Sequence, residues 1–155
     1  MPGERERSDV LKAPNPEKFM AMMGRHWERI CKIPVIGVPL ARAWNRNMAR
    51  FLFYTPGTGV DRQDSLEGVK EYLLETGRQM NFPFEIIEGS ETPDSFEFYV
   101  HGCPYGFKRP DQAAACDAAM EMDRVLFRCV GGDLIIQESA VEGAESCRIL
   151  MKWRG

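Results

Sequence analysis

The hydrophobic period of this chain changes near residue 81, and that change limits the folds open to it. Before it, apolar residues recur every three or four positions, the spacing of one helix face. Phe19, Met23, Trp27 and Ile30 mark a first helix, from Pro16 to about Cys31. Leu40, Trp44, Met48 and Phe51 mark a second, from about Leu40 to Phe53, which also carries a basic stripe of Arg42, Arg46 and Arg50. Between the two, Pro34 and Pro39 bracket residues 35–38, which read as an extended connector. Leu66, Val69, Leu73 and Met80 mark a third helix. Asp64 is its expected N-cap, with Glu67 three residues on.

Beyond residue 81 the period shortens toward two. Residues 84–88 read as a strand, residues 89–94 as turn material, and residues 95–103 as a second strand. In that second strand Phe96, Phe98, Val100 and Gly102 point one way, and Glu97, Tyr99, His101 and Cys103 the other. Pro110 suits the first turn of a fourth helix reaching about Cys129, and Gly131-Gly132 stops it. Residues 133–141 and 147–153 form a closing hairpin around residues 142–145. The order predicts an α+β fold: N-terminal helices packed on a four-stranded antiparallel sheet, with one helix between the two hairpins. Residues 1–14 are polar and expected as a disordered tail. Residues 15–155 are expected as a single domain, with a helical part at 15–80 and a sheet and site part at 81–155.

Composition narrows the function classes. Hydrophobic residues make up 44% and charged residues 28%, the proportions of a globular chain. A net charge of −3 argues against a broad nucleic-acid surface. No apolar run is long enough to cross a bilayer, and the charged N-terminus lacks the apolar stretch of a signal peptide, so a cytoplasmic protein with no membrane partner is expected. Five cysteines, an odd number in no dense framework, read as reduced thiols. Met20, Met22, Met23, Trp27, Trp44, Phe51 and Phe53 are more apolar surface than one small sheet needs, so a homodimer is expected.

The chemistry-bearing residues gather in the last third. Cys116, Met120, Asp123 and Phe127 fall near one face of the fourth helix, with Asp117 about 100° round from Cys116. A thiolate is a nucleophile and a soft metal ligand, and a nearby carboxylate can move protons. The bland reading is that Cys116 is a small core residue among alanines and that Asp117 pairs with Arg124. Asp123, between Met120 and Phe127, needs a partner under either reading. His101 and Cys103 share a strand face and could pair or bind a metal. Cys147 alternates with Ile149, Met151 and Trp153, as a core residue would. A metal site, zinc by preference, would draw on His101, Cys103, Cys116 and Cys147, although their spacing fits no standard zinc pattern. Otherwise no cofactor is expected. The arginine stripe reads either as a solvated face or as an acceptor for an acidic ligand. The glycines at 57 and 59 form no phosphate loop, and no serine lies in a Gly-x-Ser-x-Gly elbow.

The Cys103-Pro104 turn, the helical Cys116-Asp117 and the terminal hairpin ending in Gly143-Ala144-Glu145-Ser146-Cys147 resemble the L-2-amino-thiazoline-4-carboxylic acid hydrolase family. The resemblance covers roughly residues 65–153 and is clearest over 100–150. It implies hydrolysis of a small cyclic amidine-like or amide C–N bond, with a thiazoline-carboxylate-like small-molecule substrate. Cys103, Cys116, Asp117 and Cys147 would fall at motif positions, with nucleophile and base unassigned among them. The chain departs from the pattern at Cys147-Arg148-Ile149. The order of elements is also similar to vinyl-reductase-type small-molecule-binding domains, some of which hold zinc through cysteines of the closing hairpin. Here that hairpin has Cys147, with Ser139 near where a second cysteine would fall. The expectation is a hydrolase using Cys103 or Cys116 with Asp117 or Asp123 as proton carrier and His101 as assistant. The alternative is a non-enzymatic binding domain.

Overall fold

The computed structural model describes residues 15–82 and 84–155. The tail expected over residues 1–14 lies outside them. The described chain has the predicted order of elements: α1 (Pro16–Cys31), α2 (Gly37–Tyr54), α3 (Leu66–Met80), β1 (Phe84–Ile86), β2 (Ser95–Val100), α4 (Ala113–Val130), β3 (Gly132–Glu138) and β4 (Cys147–Trp153). The fold is α+β. The sheet is antiparallel throughout, in the order β1-β2-β4-β3, so the last strand lies in the middle beside β2.

Several element ends differ from expectation, each for a local reason. Asn15 caps α1, its Oδ1 accepting from the N–H groups of Glu17 and Lys18. The connector before α2 is shorter than predicted. Gly37 and Val38 already belong to the helix, and Pro39 is tolerated because the first turn needs no N–H from it. Val35 takes the turn in the left-handed region, φ 66°, and is 92% exposed. Ser65, not Asp64, caps α3, its hydroxyl accepting from Gly68 N–H at 3.1 Å. Strand β2 stops at Val100, because Gly102 turns the backbone at φ 76°. Strand β3 stops at Glu138, and a 3-10 turn over Ala140–Glu142 replaces its expected end.

Two apolar clusters hold these elements. The first lies on one face of the sheet, where Phe96, Phe98, Leu134, Ile149 and Met151 pack with Val69 and Leu73 of α3 and with Phe127 and Val130 of α4. Burying such side chains contributes on the order of 2 kcal/mol each. The register sets Val100 opposite Cys147 and Phe98 opposite Ile149, so Cys147 shares the core face. The second cluster lies behind α4, where Ala115, Ala118 and Ala119 meet Trp27, Ala41, Phe107 and Val141. On α2 the buried positions are Gly37, Ala41, Asn45 and Ala49, small residues every fourth position. With the alanines of α4 facing them, the two helices can approach closely. Two of the three arginines of the stripe are absorbed at this contact: Arg42 pairs with Asp117, and Arg46 with Glu121 at 2.9 Å. Of the apolar residues behind the dimer expectation, Trp27 is buried, whereas Met22, Trp44 and Phe51 stay exposed. No helix among the described residues is long and apolar enough to cross a membrane.

Candidate functional site

Where α4 crosses the sheet, the first cluster does not close completely. A cavity of about 100 Å3 remains there. Its walls are largely apolar and include Phe84, Phe98, Met120, Phe127 and Ile149. Into it come the side chains of Cys103 and Tyr105 from the turn after β2, Cys116 and Asp123 from α4, Ser139 from the end of β3, and Cys147 from β4. The seven-residue separation of Cys116 and Asp123 is two helical turns, which sets both on the side of α4 that faces the sheet.

Asp123 is the chemically distinctive group. By surface area it is half-buried, but the surface it keeps fronts the cavity, and protein encloses it. Burial pushes its carboxyl from 3.8 up to about 7, with the nearby Arg124 charge opposing. Among the described residues its carboxylate has no hydrogen-bond partner. Arg124 turns instead to Asp117, with Nη2 at 2.7 Å from Oδ1.

Burial holds the Cys103 and Cys116 thiols neutral. Burial pushes Cys116 up to about 12; neighbouring Cys103 and Cys147 add to this, and a hydrogen bond with Ser139 opposes it. Burial also raises Cys103, but the backbone N–H groups of Phe107, Tyr105 and Gly106 face its sulfur and draw it back. That ring of donors would favour negative charge on Cys103 over Cys116. Cys147 accepts a hydrogen bond from Ala140 N–H at 3.4 Å. Burial raises the Tyr105 phenol well above its usual value, so it stays a neutral hydroxyl.

Of the sequence candidates, then, the fold brings together Cys103, Cys116, Asp123 and Cys147. It leaves Asp117 and His101 outside the cavity. Asp117 sits on the α2–α4 seam. Burial alone would raise its carboxyl, but hydrogen bonds from Arg42 and Arg124 hold it below its ordinary value. His101 is exposed past the end of β2, its Nδ1 2.8 Å from Ser146 Oγ and its Nε2 against Glu85. The turn at Gly102 ends the alternation that set His101 and Cys103 on one face. No group of three or more His, Cys, Asp or Glu side chains among the described residues is arranged to hold a metal ion. The zinc set of His101, Cys103, Cys116 and Cys147 is therefore not assembled. The sequence reading missed Tyr105 altogether and noted Ser139 only as a displaced cysteine. The signal available was their closeness in sequence to Cys103 and to the closing hairpin. No protein-family model matches the chain, and no curated protein matches it either.

Proposed function

We propose that the chain hydrolyses a small cyclic amidine-like or amide C–N bond inside this cavity. The observation that carries the reading is Asp123, a carboxyl near 7 without a hydrogen-bond partner among the described residues, in an apolar cavity shared with Cys103 and Cys116. A group at that value can take up and return a proton at neutral pH. Because burial holds the thiols protonated, water is the better-supported nucleophile. Ionised Asp123 takes a proton from water as the new C–O bond forms, then gives it to nitrogen as the C–N bond breaks. Cys103 is the alternative nucleophile, favoured over Cys116 by the N–H groups at its sulfur. In that route Asp123 takes the thiol proton as the C–S bond forms and gives it to nitrogen as the C–N bond breaks; water then attacks the same carbon, the C–S bond breaks, and a proton from that water returns to the thiol. The sequence resemblance over residues 100–150 supports the same reaction class.

The test is turnover of a panel of cyclic amidines and small amides. Asp123→Asn is expected to abolish turnover and Asp117→Asn to retain it, with the wild-type rate rising through about pH 7. Equal loss in both variants would remove Asp123 from the chemistry. The almost wholly apolar lining favours a second reading, a binding domain without turnover. Ligands that raise the melting temperature but are recovered unchanged would select it.

A further inference from the structure

The composition of the cavity wall defines the charge its occupant can carry. Among the described residues Asp123 is its one acidic side chain, and no lysine, arginine or histidine lines it. The nearest guanidinium, Arg124, is committed outside the cavity to Asp117, which also holds Arg42. The other polar side-chain groups on the wall are the Ser139 and Tyr105 hydroxyls and the three thiols, and the backbone N–H groups of Phe107, Tyr105 and Gly106 are turned to the Cys103 sulfur. An anionic ligand group would meet a carboxylate and no counter-charge in a medium of low dielectric, an arrangement proteins avoid. A ligand N–H, by contrast, would meet an acceptor with no other partner. The volume sets the size. A cavity of roughly 150 Å3 accommodates benzene, so about 100 Å3 suits a five-membered ring or a short chain.

Resting on the site reading above, we propose that the cavity takes a small nitrogen base, an amidine or N–H heterocycle without any acid group, with its N–H on Asp123. A thiazoline ring bearing a 4-carboxylate, the substrate type suggested by the sequence resemblance, does not fit this wall. The complex pairs an amidinium with a carboxylate. Its formation requires Asp123 to be ionised, so affinity falls as pH drops below about 7. The groups around Asp123 are Arg124 and Cys116 of α4, Tyr72 of α3, Tyr105 and Cys103 of the turn after β2, and Cys147 of β4. The thiols and phenols whose shifts are resolved there are raised, so Asp123 is the acid expected to govern that pH dependence.

The experiment is calorimetric binding of a matched set to the wild-type protein: 2-aminothiazoline, its 4-carboxylate, and 2-methylthiazoline, which has the ring but no exocyclic N–H. The base should bind more tightly than the carboxylate by roughly 100-fold, the scale of an unpaired buried charge. Its advantage over the methyl compound should vanish at pH 5 and in Asp123→Asn. Equal or tighter binding of the carboxylate would overturn the proposal, as would no binding of the base at millimolar concentration. Turnover is scored separately by product analysis. Binding of the base without turnover would sink the hydrolase reading alone, and turnover of the carboxylate would sink this proposal alone.

Discussion

Burial holds the Asp123 carboxyl near 7 rather than at 3.8, which makes stability depend on pH. Between those values the folded chain keeps a proton that the unfolded chain has released. The contribution is therefore fully present below pH 3.8, is lost as pH rises toward about 7, and is flat above. At 1.36 kcal/mol per pH unit the full loss is on the order of 4 kcal/mol. Asp123→Asn removes it. The variant should melt several degrees above wild type at pH 8, and the gap should close on going to pH 4. Thermal unfolding of both proteins across that range checks it. A variant that melts lower at pH 8 would mean the carboxylate has a partner that stabilises it. The sequence singled out this residue but expected a partner for a carboxylate between Met120 and Phe127, and among the described residues it has no hydrogen-bond partner. The shared face expected for His101 and Cys103 is absent, because strand alternation holds only while the strand lasts and β2 ends at Val100, one residue before His101. Asp117 and Cys116 are neighbours in sequence, yet 100° of helix rotation sends one to the seam with α2 and the other to the cavity.

At the scale of elements, the sequence located the four α-helices and four strands of the described residues but neither 3-10 turn, and the caps and turns that bound them depended on backbone geometry that periodicity does not carry. Ser65 and Asp64 are equally good caps by residue type, and tertiary position chose between them. Convergence of the turn after β2 with α1 was not legible at all. It depends on Gly24 of α1, which lies against the backbone of Tyr105. A Cβ built there would stand 2.0 Å from the Tyr105 carbonyl oxygen and 2.8 Å from its carbon. Neither is the end of a flexible side chain, so backbone has to move. Gly24→Ala should cost about 1–3 kcal/mol, the range of an overpacked core, against a gain of up to about 1 kcal/mol in helix propensity. Because the same turn carries Cys103 into the cavity, ligand affinity should drop with it. Denaturant midpoint and binding measured on the variant decide the point. An unchanged midpoint would mean that α1 slides freely over the turn.

The whole molecule carries its largest unexplained feature on the outside of α2. Leu40 is 53% exposed, Trp44 55%, Phe51 62% and Tyr54 75%, along one side of a helix whose other side is sealed against α4. Ile36 extends the row at the start of α2, and Ile33 and Val35 in the preceding turn enlarge the apolar surface. Exposed apolar area on this scale marks contact surfaces. A helix with three arginines and no acidic residue would ordinarily repel its own copy. Here Arg42 and Arg46 are already paired with Asp117 and Glu121 of the same chain, which leaves Arg50 as the remaining like charge to be set against the apolar gain of pairing two α2 helices about a two-fold axis. Sedimentation at micromolar concentration is expected to show a dimer, and Trp44→Asp with Phe51→Asp a monomer that keeps its helix content. Both positions face away from the two core clusters, so the substitutions should leave ligand binding in the cavity intact. A wild-type protein that sediments as a monomer would rule out self-association through this row.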